Sequence, residues 1–150
     1  MDSCSTRIAG CRTGKFYAAA QKACAEYIKV TTEWHTAGGE DGYTKAQYYE
    51  RNKAADRIPN VMLRIDYMQY LGWFWDAREF CGSYENVMTP DLLNQWQGHS
   101  YTVLQRWERD LIFGMDRAFR NSYSGVLQYH MKRKQIKTES DKDKGRIKHG

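Results

Sequence analysis

Residues 89–131, TPDLLNQWQGHSYTVLQRWERDLIFGMDRAFRNSYSGVLQYHM, hold the pattern that decides the fold. Thr89, Pro90 and Asp91 read as a helix start: a hydroxyl cap, a proline at the first helical position, and an acid where the macrodipole favours one. From there Leu93, Trp96, Ser100, Val103, Trp107, Leu111, Gly114 and Ala118 recur at steps of three or four, one stripe on a 3.6-residue helix. Gln95, Arg106, Arg109, Asp110, Asp116, Arg117 and Arg120 fall on the opposite face. The pattern predicts one helix about 45 Å long, more than a domain of this size needs. Beyond Arg120, Asn121-Ser122-Tyr123-Ser124-Gly125 either ends the helix or lets it run on through Val126, Leu127 and His130. Such a length reads as a strut or docking element before it reads as a catalyst.

Working outward toward the N-terminus, Asn60 is expected to cap a helix from about Val61 to Phe80, the most apolar part of the chain. Val61, Met62, Leu63, Ile65, Tyr67, Met68, Tyr70, Leu71, Trp73, Phe74 and Trp75 project in nearly every direction of a helix. A helix apolar all round is buried on most sides. It is expected to be the central member, with Trp73, Phe74 and Trp75 offering a partner or membrane interface where part of that surface is covered from outside. Before it, Thr44 with Gln47 forms a capping box that opens a short helix carrying Tyr48 and Tyr49, stopped by Pro59. Gly38-Gly39-Glu40-Asp41-Gly42 is a loop. Another helix is expected from Thr13 or Gly14 to the residues before Gly38, with Phe16 or Tyr17, Ala20, Cys24, Tyr27 or Ile28, and Trp34 on its apolar stripe.

Few prolines, few Val/Ile runs and no hairpin dipeptide between alternating segments argue against a sheet. The reading is an all-α chain: a four-helix, bundle-like single domain with one long C-terminal helix and a basic extended tail. It divides into an N-terminal basic segment (1–12), a helical domain (13–131) and a basic polar tail (132–150). The whole chain of 150 residues carries a net charge of +5. The tail's eight basic residues against Glu139, Asp141 and Asp143 supply all of it, so the first 131 residues balance. Lys132, Arg133, Lys134, Lys137 and Arg146 are the expected tail contacts. Lacking hydrophobic periodicity, the tail is expected to be disordered alone and to order as a strap on a partner.

Candidate chemistry is thin. Cys4, Cys11, Cys24 and Cys81 make no Cys-x-x-Cys and pair with no histidine at zinc spacing. Reduced thiols are the default, with Cys24 a small core residue. Gly98-His99-Ser100 approaches a nucleophile elbow, but the final glycine and the preceding strand are missing. His35 suits a helix end, and no Glu-x-x-His pair exists for a di-iron site. No catalytic residue, metal or other cofactor, and no small-molecule substrate, is inferred.

The residues 3–25 lack any acid while carrying Arg7, Arg12, Lys15 and Lys22, the composition of a mitochondrial targeting segment. Asp2 goes against it. The expected function is a non-enzymatic structural or accessory subunit of a larger multi-protein assembly, set peripherally at the mitochondrial inner membrane with possible anionic-lipid contact. A virion head or neck component is the alternative setting. A nucleic-acid-binding protein using the basic tail is the competing class.

Overall fold

The structure is a computed structural model that describes the backbone of residues 2–149 and the side chains of residues 14–145. Every regular element among these residues is helical: α1 (Asp2–His35), α2 (Lys45–Arg51), α3 (Met68–Cys81), α4 (Pro90–Ser100) and α5 (Arg106–His149). Single 3-10 turns occupy Ala55–Arg57 and Ile65–Tyr67. The all-helical expectation stands, with a long C-terminal helix. Five helices replace the four expected, because the stretch read as one helix from Thr89 is two.

Its start is as predicted: the Thr89 hydroxyl accepts the Leu92 N–H at 3.2 Å and proline follows. The break comes at Tyr101, which adopts left-handed φ +55°. Local hydrogen bonds compensate there. The Ser100 hydroxyl donates back to the Trp96 carbonyl at 2.8 Å, and the Thr102 N–H reaches the Gln97 carbonyl at 3.1 Å. Thr102 and Val103 are β-branched, so little favours continuing the helix through them. Glu108 then accepts the Gln105 N–H at 2.8 Å and opens α5. Val103, expected on the buried stripe, is 89% exposed as a result.

Three further boundaries differ from expectation. The first helix begins at Asp2 rather than near Thr13. The Thr44 capping box forms, with both reciprocal bonds in place, but α2 ends at Arg51, where Lys53 turns left-handed, well before Pro59. Asn60 caps no helix, because residues 61–64 are not helical. Val61 and Leu63 are half-buried while Met62 and Arg64 are exposed, the two-residue alternation of an extended chain, and α3 starts only at Met68.

The tail is the largest correction. Residues 132–149 are neither extended nor separate; they continue α5, a helix of 44 residues and roughly 66 Å. Lys, Arg, Gln and Glu are good helix formers, no proline follows Pro90, and propagating an existing helix needs no new nucleus.

The two long helices run parallel. Tyr17 of α1 stacks on Trp107 at the start of α5 with centroids 3.9 Å apart, and Gly38, just past the end of α1, meets Val126 and His130. Between these ends Ala20, Cys24 and Ile28 pack in one core with Leu111, Ile112 and Met115. α3 supplies Leu71 and Phe74 to that core, and α4 supplies Leu93 and Trp96. Each large apolar side chain so buried contributes roughly 1.5–3 kcal/mol.

Candidate interaction site

The aromatic triplet is divided by its helix. α3 turns Phe74 fully inward, edge-to-face on Phe119 at 6.1 Å, so Phe74 is core and not an interface residue. Trp73 is half-buried against the core and meets Tyr70 at 5.8 Å. Only Trp75 is open, 41% exposed, leaning edge-on against Phe119 at 5.5 Å. Three successive residues on a helix are about 100° apart, so the triplet could not share one surface.

The basic residues lie on the arm formed by α5 beyond Met131. Lys132, Arg133, Lys134 and Lys137 are all exposed, as is every residue from Met131 to Lys144. Arg146 belongs to the same helix, its side chain outside the described residues. On the helical wheel Arg133, Lys134, Lys137 and Lys144 fall within one sector of about 100°, together with Asp141, while Glu139 and Asp143 lie on the other side.

The body grips the arm at its root. A Cβ on Gly38 would stand 2.8 Å from Val126 and 2.9 Å from His130, so glycine is what lets the loop after α1 lie on α5. Arg133 places its guanidinium 3.6 Å from the centroid of the Tyr48 ring, and Lys134 bonds Glu40 at 2.7 Å. The Tyr48 hydroxyl donates to Asp41, which also accepts the Tyr43 N–H at 3.1 Å. The Tyr48 bond, then the Tyr43 N–H, hold the Asp41 carboxyl below its ordinary range; burial, then Asp41, push the Tyr48 phenol up. His130 is buried and its Nε2 has no partner. Burial lowers its pKa below the ordinary 6.5, outweighing the opposing pull of Asp41.

A second polar cluster centres on Asp116, which the helical pattern places opposite the apolar stripe. Asp116 is 2% exposed. It accepts Arg78 at 2.6 Å, Arg120 at 2.9 Å and the Met88 N–H at 3.2 Å. Arg78 also donates to the carbonyls of Asn86 at 2.8 Å and Ser83 at 2.5 Å, tying α3, the loop after it and α5 together. The signal was present: Arg78 follows Leu71 and Phe74 at helical steps on the core stripe, and Asp116 precedes Arg120 by four.

Cys24 and Cys81 are buried free thiols, with burial pushing Cys24 up to about 11; Cys4 and Cys11 lie outside the described side chains. Among the described residues no three metal-ligating side chains converge, and no helix is long and apolar enough to cross a membrane. Comparison with protein-family models, with curated proteins and with solved structures finds no match.

Proposed function

We propose that this protein is a non-enzymatic structural subunit of a larger multi-protein assembly, its helices a bundle-like platform and its C-terminal arm the docking element. The observation that carries the reading is the arm itself: a charged helix gripped at Arg133 and Lys134, then open to solvent on every side as far as Lys144. The exposed Trp75 on α3 supports a second contact, since tryptophan and arginine are enriched where proteins meet. The mitochondrial inner-membrane setting is proposed on the acid-free, basic run over residues 3–25.

The competing reading, nucleic-acid binding by the arm, is favoured by the clustering of four basic residues in one sector of the helix. Against it stands Asp141 inside that sector, which suits a mixed-charge protein surface better than a uniform phosphate backbone. The test is isolation of the native particle under mild conditions, alongside a chain ending at Met131. The expected result is a particle well above 17.6 kDa with other chains in fixed ratio, lost on truncation while the body stays helical. A free monomer whose arm binds duplex DNA tightly at physiological salt would reverse the order of the two readings.

A further inference from the structure

We propose that the cavity between α1, α2 and α5 is a binding site for a small organic anion, one carrying a single carboxylate or phosphate group. Its volume is about 430 Å³, within the range of small-molecule sites. The floor is α5, and it is low because the residues there are small: Ala118, Ser122 and Gly125. A Cβ on Gly125 would meet nothing within 4 Å, so an absent side chain accounts for part of the space.

The walls carry the charge. Lys29 of α1 stands exposed at one side and makes no ion pair among the described residues. Lys45 of α2 closes the other side in an unusual setting. Its ammonium lies 4.3 Å from the Trp34 ring centroid and 5.1 Å from that of Tyr129, with the side chain only 17% exposed. An ammonium has three donors, and one of them reaches Glu33 at 3.2 Å. Glu33 also lines the cavity. Two lysines against one carboxylate leave the site at net +1, and the rings shield Lys45 from water, where an opposite charge is attracted more strongly. An entering anion shares or displaces Glu33 on Lys45, bonds Lys29 across the cavity, and lays a short apolar body over Ala118 and Gly125.

The site lies on the body, not the arm, and stands apart from the assembly reading. Backbone amide shifts of the full chain are followed by NMR during titration with inorganic phosphate and, separately, with propionate, both at constant ionic strength set by chloride. Saturable shifts at Ser122, Gly125 and Tyr129 are expected for at least one probe. Response to phosphate alone assigns phosphate monoesters, response to propionate alone assigns carboxylates, and response to both supports the shared site. Lys29→Gln is expected to weaken binding about tenfold, as loss of a charge-assisted bond does. Glu33→Gln removes the competing carboxylate and is expected to tighten binding severalfold. Gly125→Leu fills the cavity and is expected to abolish saturation while the thermal transition stays cooperative. Shifts that grow linearly with both probes, or a folded Gly125→Leu chain that still saturates, overturn the proposal. If Gly125→Leu does not fold, equal affinity of wild type, Lys29→Gln and Glu33→Gln overturns it alone.

Discussion

Asp116 gathers three donors in the protein interior, and its carboxylate is tolerable there only because all three are present. Removing one partner of a buried pair strands the other. Asp116→Ala is therefore expected to cost about 3–5 kcal/mol in a denaturant melt, since it leaves the 5%-exposed Arg78 uncompensated. The paired change Arg78→Met with Asp116→Leu is expected to recover part of that loss. A cost below about 1 kcal/mol for Asp116→Ala would mean water reaches the pair. His130 gives the pH dependence. Its folded pKa lies below 6.5, so the folded state takes up a proton less readily than the unfolded chain. The stabilisation is complete above pH 6.5 and is lost as pH falls through the folded value. Asp41 faces His130 with opposite charge and Arg133 with like charge, from the loop after α1 and from the next turn of α5. Melting temperature followed from pH 7.5 down to 5 is expected to fall more steeply for the wild-type chain than for His130→Gln. Parallel curves would exclude His130 as the source.

Among the elements, the joint between α4 and α5 holds an avoidable strain. Tyr101 sits left-handed and 94% exposed, so its side chain buries nothing in return. Tyr101→Gly is expected to raise stability by up to about 1 kcal/mol, the left-handed penalty less glycine's greater freedom when unfolded. A lower melting temperature would show that the ring makes a contact that holds the joint. The same joint shows why periodicity alone misled. Leu93, Trp96 and Leu111 are buried and Trp107 packs on the core as their spacing predicts, but Val103 keeps the rhythm in a gap where the backbone has left the helix. Capping chemistry was a better guide, though not a sufficient one: Thr89 and Thr44 cap their helices, whereas Asn60 is followed by non-helical chain. The Glu108 bond to Gln105, legible as a polar residue three positions past a possible cap, marks the true start of α5. The arm was missed for the reverse reason, since helix propensity without an apolar stripe carries no periodic signal. The Arg133 contact with Tyr48 and the anion cavity depend on residues far apart in sequence and could not be read from spacing.

At the scale of the molecule, two long helices lie side by side and point the same way. Consecutive antiparallel helices need only a short turn between them; parallel partners need a chain that travels back the full length of the pair. Here α2, α3 and α4 all belong to that return path. The pairing of Tyr17 with Trp107 and of Gly38 with His130 therefore joins residues roughly ninety positions apart, the kind of non-local contact that slows folding. During synthesis α1 emerges with an apolar stripe of Ala20, Cys24 and Ile28 whose main cover, Leu111, Ile112 and Met115, has yet to be made. At 5–20 residues per second that exposure lasts about five to twenty seconds, a window in which a nascent chain depends on chaperones or on a neighbour already in place.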